Sequence, residues 1–180
     1  MLWKIFYANH CFVEARAAAE HVYQKKLESN APLFYPLVVA IYTLYARPFT
    51  RSDGVGRLDE PFIPHKCLAQ HQLIMEHRNQ IYAHRDADAF SIDVHGSANQ
   101  LRAVRTDTVF GLAATNVHAR YHAMLGIIEI CNLLEKKCGD KIGELWKKHK
   151  GKVPPQEGEY LLNVLDATGP MWLPKQRMLT

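Results

Sequence analysis

The sequence lacks the short motifs that mark several large classes of enzyme. It has no Gly-x-Ser-x-Gly elbow, and its nearest pair of loop glycines, Gly54 and Gly56, is too sparse for a phosphate-binding loop and does not follow a strand. It also has no Cys-x-x-Cys pair, no internal repeat and no low-complexity tract. Serine-hydrolase and P-loop chemistry are therefore excluded as interpretations.

Long apolar runs are also missing. The apolar start of the chain is interrupted by Asn9, His10 and Glu14 well before it reaches a membrane-spanning length, and it has no small-residue cleavage site. The four cysteines are widely spaced on predicted helices, a pattern typical of reduced core residues rather than of a disulfide framework. We therefore expect a soluble, cytoplasmic protein with no membrane partner.

The positive charge is concentrated in one segment. The chain has 180 residues and a net charge of +4, and its 48% apolar and 22% charged residues are ordinary for one globular domain. Residues 136–152 hold seven lysines against two acidic residues, which leaves the rest of the chain slightly negative. Because a lysine cluster on a helix adds salt-dependent affinity for a polyanion, Lys147 and Lys148 are candidate RNA-binding residues, although such a cluster is more often simply solvated.

One long helix, predicted over residues 66–86, organises the rest of the chain. Pro64 stands just ahead of it, where a missing backbone N–H costs nothing, and no glycine or proline interrupts the run. Leu73, Ile74 and Ile81 contribute to an apolar stripe at helical spacing. The polar residues near the end of this helix carry the functional argument.

Arg78 and Asn79 are followed by His84, with Ala83 just before the histidine. This arrangement resembles the signature of the HEPN superfamily, in which an arginine with a polar neighbour precedes a histidine; here five residues intervene. The resemblance covers roughly residues 5–150. It implies an all-α, HEPN-like bundle and a metal-independent endoribonuclease of the toxin or phage-defence kind, with Arg78, Asn79 and His84 as catalytic residues.

The residue types suit RNA cleavage without a cofactor. A guanidinium is a permanently charged fork of donors that fits a phosphate, and an imidazole near neutrality can give or take a proton. The implied step is attack of a 2′-hydroxyl on its own 3′ phosphate, with His84 moving the proton and Arg78 holding the developing charge. On an α-helix these two residues lie about 120° apart around the axis and about 9 Å along it. They converge on one phosphate if the arginine reaches along the groove or if a second copy of the helix lies opposite. The second arrangement predicts a homodimer with a cleft formed by both chains.

The predicted architecture is a bundle of four to five helices. Residues 5–28 and about 33–47 form the first two helices, and a helix capped by Asn116 ends at Gly139, followed by a short basic helix to about Lys150. Alternating apolar residues predict a small β-hairpin or irregular insertion at about 87–114, with a turn at 96–99. The helical domain spans 1–155, and residues 156–180 form a C-terminal tail.

Further RNA contacts are predicted on the organising helix and in the loop that follows the second helix. Tyr82 and Arg85 share a stripe with Arg78, and Arg47 and Arg51 open a long loop that runs to about Pro64 and is either functional or mobile. An antitoxin or another defence-system protein is a further expected partner.

Three alternatives stay open. Cys67 with His71, and His118 with His122, are each spaced by four residues, and together they offer four zinc ligands if the two pairs meet. Arg78 could instead pair with Asp86 or Asp88, with His84 as an ordinary helix-end residue. The chain could also be a catalytically inactive HEPN module that binds a nucleotide, RNA or a protein partner.

Overall fold

The computed structural model of the chain describes residues 1–51, 56–79, 90–91, 96–97, 101–108, 110–114, 121–152, 156, 159–162 and 172–174. The described part is mostly helical, which confirms the all-α expectation at that level. Its four α-helices are α1 (Leu2–Gln24), α2 (Phe34–Ala46), α3 (Leu68–His77) and α4 (Met124–His149). Within these ranges, no helix is both long enough and apolar enough to cross a membrane.

Helix α1 is the centre of the bundle, because α2 and α4 both pack along it. Small buried residues on α1 allow this close approach, and Ala8, Ala15 and Ala19 are all fully buried. Arg16 ties α1 to α4, since its Nε and Nη2 atoms donate to the two carboxylate oxygens of Glu135 at 2.6 and 3.2 Å. Phe12, Tyr45 and Phe49 form a cluster of tilted aromatic rings between α1 and the end of α2.

Helix α1 ends four residues earlier than the sequence predicts, at Gln24 rather than residue 28. Lys26 takes a left-handed conformation with φ +48°, its N–H bonds to the Tyr23 carbonyl, and the Leu27 N–H bonds to the Val22 carbonyl. These two bonds make a Schellman motif with lysine where glycine is usual. Leu27 then packs against the core, which explains how a non-glycine residue is held in this conformation.

Helices α2 and α3 agree with the expectation over the described residues, except in how α3 begins and ends. Pro36 lies in the first turn of α2, where it is tolerated. The organising helix starts with a 3₁₀ turn at His65–Cys67, becomes α-helical at Leu68, and changes to π-helical geometry at residues 78 and 79. Residues 80–86 lie outside the described residues.

Helix α4 corrects the prediction that Gly139 ends a helix, because the chain continues in one helix from Met124 to His149. The buried Leu134 and Cys138 are followed by the partly buried Ile142 and Leu145, so the apolar stripe crosses the glycine without a break. An interior glycine costs a helix only about 1 kcal/mol, and the packing of this stripe outweighs that cost. The proposed capping residue, Asn116, lies outside the described residues.

The strands among the described residues form three short antiparallel pairs. β1 (Phe90–Ser91) pairs with β2 (Gly96–Ser97), β3 (Leu101–Arg105) with β4 (Phe110–Ala114), and β5 (Tyr160–Leu162) with β6 (Trp172–Pro174). A hairpin at about 87–114 was expected, but the predicted turn at 96–99 was misplaced, since Gly96 and Ser97 belong to a strand. The pair in the C-terminal segment was not predicted.

Candidate functional site

Arg78 and Asn79 stand where α3 passes from α-helical to π-helical geometry. Arg78 keeps helical backbone angles, φ −57° and ψ −45°, and its N–H reaches the carbonyls of Ile74 and Met75. Its Nη1 donates to Oδ1 of Asn79 at 2.9 Å on the exposed side of the helix. Single π turns occur frequently at functional sites. The bond orients the guanidinium. It uses only the amide oxygen of Asn79, which is an exposed residue.

Two contacts hold the end of α3 in place. Ile74 is buried in the core, and the His77 ring lies against the ring of Tyr42 on α2, with centroids 5.9 Å apart. Arg78 is half-buried, and its Nε has no hydrogen-bond partner among the described residues.

The histidine of the predicted signature, His84, lies outside the described residues, as do the proposed RNA contacts Tyr82 and Arg85. The structure therefore describes two of the three proposed catalytic residues and brings those two, Arg78 and Asn79, into direct contact.

The two loop arginines are not on α3. Arg47 opens the 3₁₀ turn Arg47–Phe49 that follows α2, and its guanidinium lies close to the Tyr7 hydroxyl and the Cys11 thiol of α1. Burial raises the pKa of Tyr7, and Arg47 acts in the opposite direction. Arg51 is exposed. Arg47 thus extends towards α1. It lies more than one turn of α2 beyond Tyr42, the residue that His77 contacts at the end of α3.

Lys147 and Lys148 are exposed near the end of α4. Lys141, on the same helix, lines a cleft with Met1 and Lys4 at the beginning of α1. Lys147 follows six residues later, which is about 9 Å further along α4. Arg78 lies beside the contact between His77 and the middle of α2. The lysines and Arg78 therefore occupy separate regions of one chain.

The residues proposed for zinc have other contacts where they are described. His71 Nδ1 is 2.9 Å from the Tyr45 hydroxyl, and its ring meets that of Phe49 edge-on with centroids 4.5 Å apart. His122 is exposed with its ring 3.8 Å from that of Tyr121. Cys67 is buried, and His118 lies outside the described residues. Over the part of the chain that the structure describes, no group of three or more histidine, cysteine or acidic residues is arranged to hold a metal ion.

A cleft of about 480 Å³ lies between α3 and the loop that precedes it. Its lining residues are Phe49, Arg57, Leu58, Asp59, Glu60, His71, Gln72 and Met75. Burial lowers the pKa of His71, and the nearby Glu60 carboxylate opposes this shift. No pattern in the sequence pointed directly to this cleft, although the unusual length of the loop after Arg47 indicated that the loop was functional or mobile.

Comparison with protein-family models, with curated proteins and with solved structures finds no match for this chain. The described residues that carry the most specific arrangement are Arg78 and Asn79, at the end of α3.

Proposed function

We propose that the chain is a metal-independent endoribonuclease of HEPN type, belonging to a toxin or phage-defence system. The observation that carries this proposal is the 2.9 Å hydrogen bond from Arg78 to Asn79 at a π turn on the exposed side of a helical bundle. An arginine held in this way presents fixed donors to a phosphate. The sequence supplies a histidine six positions further on.

Each residue has a distinct role in the proposed reaction. Arg78 binds the phosphate and stabilises the charge that builds on its oxygens as the 2′-hydroxyl attacks. His84 takes the proton from that hydroxyl or gives one to the leaving 5′ oxygen. Asn79 orients Arg78, so water can replace part of its contribution. The products of this reaction are a 2′,3′-cyclic phosphate and a 5′-hydroxyl.

The proposed active form is a two-fold dimer. On the α-helix that the sequence predicts over residues 66–86, Arg78 and His84 lie about 120° apart, and a second copy of the chain resolves this offset by supplying the opposite wall of a shared cleft. An antitoxin or another defence-system protein is the proposed regulator. The basic segment around Lys147 and Lys148 supplies sequence-independent affinity for RNA.

Cleavage of total RNA in the presence of EDTA tests the chemistry. We expect cleavage by the wild-type chain and a loss of about 10²- to 10⁴-fold in rate for Arg78→Ala or His84→Ala, with a smaller loss for Asn79→Ala. His10→Ala, which changes an exposed histidine on α1, is the matched control and should cleave like the wild type. Circular dichroism verifies that each variant is folded.

Two results would count against the enzyme. If the Arg78 and His84 variants keep near-full activity and a normal fold, the assignment of these residues is wrong. If the wild-type chain binds RNA or a nucleotide but never cleaves RNA, the catalytically inactive module is the better description.

Mixing the two inactive variants tests the shared cleft. If Arg78 of one chain acts with His84 of the other, a heterodimer of an Arg78→Ala chain and a His84→Ala chain retains one intact site. We expect partial recovery of cleavage on mixing. A chain that sediments as a monomer at micromolar concentration and still cleaves RNA would exclude the dimeric site.

A further inference from the structure

The cleft between α3 and its preceding loop is not used by the chemistry proposed above. Three of its lining residues come from α3 (His71, Gln72 and Met75), and the loop contributes a segment that carries both charge signs. With Phe49 from the turn after α2, the walls combine apolar and polar surface. A volume of about 480 Å³ is within the range typical of small-ligand sites.

The cleft opens on the face of α3 that leads to Arg78. His71, Met75 and Arg78 are spaced i, i+4 and i+7, so they share one face of the helix. Seven residues of α-helix span about 10 Å. This is comparable to the distance between a nucleotide base and its own phosphate, so one nucleotide could occupy the cleft while its phosphate meets Arg78.

The polar groups of the cleft are both donors and acceptors. Arg57 offers a guanidinium and Gln72 an amide, while Asp59 and Glu60 offer carboxylates. With His71 neutral, the side chains carry one positive charge against two negative charges. The cleft is therefore poorly suited to an anionic group and suited to a neutral ligand that both donates and accepts hydrogen bonds.

His71 is held rigidly at the side of this cleft. Its Nδ1 is bound to the Tyr45 hydroxyl at 2.9 Å, and its ring is wedged edge-on against Phe49. The hydroxyl and the neutral ring can each donate in this bond, so either tautomer of His71 keeps the ring in place.

Guanine is the base whose edges fit this set. It presents O6 and N7 as a pair of acceptors that a guanidinium binds in a bidentate manner. Its Watson–Crick edge presents two adjacent N–H donors, which match the two oxygens of a carboxylate. Adenine has an amino group in place of O6, and the pyrimidines lack N7, so neither can make the bidentate pair with Arg57.

We propose that the cleft binds a guanine base of the RNA substrate, with Arg57 on its O6 and N7 atoms and Glu60 on its Watson–Crick edge. This inference rests on the proposed ribonuclease function, since it identifies the nucleotide that the enzyme selects next to the phosphate at Arg78. Unstacked bases in single-stranded RNA are read in this way by side chains that contact their edges. The ribonuclease therefore cleaves preferentially on the 3′ side of guanosine, where the 2′-hydroxyl of that nucleotide attacks its own 3′ phosphate.

Calorimetric titration with the 3′-monophosphates GMP, AMP, CMP and UMP, which carry the phosphate that the proposed reaction attacks, tests the pocket without any cleavage. We expect GMP to bind about tenfold or more tightly than the other three, because each bidentate pair discriminates at that level. Arg57→Ala and Glu60→Gln should abolish the preference. Arg105→Ala and Glu28→Gln change exposed residues of the same types elsewhere and should bind GMP like the wild type.

A single-stranded RNA hexamer with one guanosine, made non-cleavable by a 2′-deoxy substitution at that position, distinguishes RNA from a free nucleotide. It should compete with GMP, and a hexamer without guanosine should not. No binding of any mononucleotide at millimolar concentration, equal binding of all four, or GMP binding without competition by the hexamer would each overturn the proposal. If the chain cleaves RNA but does not bind GMP, the proposed guanine site is wrong and the proposed ribonuclease function stands. If the chain binds GMP and the hexamer selectively but does not cleave RNA, only the ribonuclease function is wrong.

Discussion

Replacing Gly139 by alanine should stabilise the protein. Gly139 lies inside α4, and a Cβ atom added there would meet no atom within 4 Å outside its immediate chain neighbours and the helix's own backbone. Alanine in a helix interior is favoured over glycine by about 0.5–1 kcal/mol, because it loses less backbone freedom on folding. For a chain of this length, that gain raises Tm by about 1–4 °C.

Gly126 is the matched control for this substitution. It lies in the first turn of the same helix, but a Cβ there would come within 2.9 Å of Nε2 and 3.2 Å of Cδ of Gln70. Gln70 would have to move, so part or all of the gain in helix propensity is lost. We expect Gly126→Ala to leave the free energy of unfolding unchanged or slightly lower.

Urea denaturation followed by circular dichroism measures both variants against the wild type. The gain is read from the shift in midpoint at constant slope, which shows that the unfolded surface has not changed. If Gly139→Ala lowers stability while its slope is unchanged, the chain turns at Gly139 as the sequence indicates, and the continuous α4 is wrong.

Three further perturbations have defined outcomes. Burial lowers the pKa of His71 below its usual value of 6.5, so the unfolded chain binds a proton at this residue more readily than the folded chain does. The free energy of unfolding should therefore be highest above pH 6.5 and should fall as the pH drops from there towards the pKa of His71 in the folded protein. A Tm series from about pH 7.5 to about pH 5 should show this loss, and His71→Asn should flatten it; an equally steep series in the variant would contradict the assignment. Arg16→Ala should cost about 1–2 kcal/mol in urea denaturation, because it removes the bidentate bond to the half-buried Glu135, and a cost near zero would show that the pair is only a solvated surface contact. Neutralising Lys147, Lys148 and Lys150 together should lower the salt slope of RNA binding by about 0.7 for each phosphate that these lysines neutralise, with no change in turnover at saturating RNA, and an unchanged slope would mean that they only face water.

Local patterns were sufficient to predict most of the helical architecture. Apolar periodicity located α2, and the absence of breakers located the start of the organising helix to within two residues. The errors occurred where packing outweighs local preference. Gly139 has the residue type of a helix end but lies on a stripe that stays buried, and Lys26 adopts a conformation that favours glycine because Leu27 packs onto the core.

The same contrast between local sequence and tertiary packing applies to the candidate site. Arg78 and Asn79 are neighbours in sequence, so a motif selects them without knowledge of the fold, but the hydrogen bond between them was not predicted. The cleft does not follow in this way, because Arg57 and His71 are brought together by a loop whose course depends on Leu58 entering the core. Such a meeting depends on tertiary packing, and periodicity carries no information about it.

The most direct measurement of the central claim is the structure of the cleaved RNA ends. Digestion of a short RNA in EDTA, followed by mass spectrometry, should give fragments that end in a 2′,3′-cyclic phosphate and begin with a 5′-hydroxyl. A substrate with a 2′-deoxy sugar at the cleavage position should remain intact, and Arg78→Ala should yield no product above background. Fragments with 3′-hydroxyl and 5′-phosphate ends, or cleavage that needs an added divalent metal, would contradict the mechanism assigned to Arg78, Asn79 and His84.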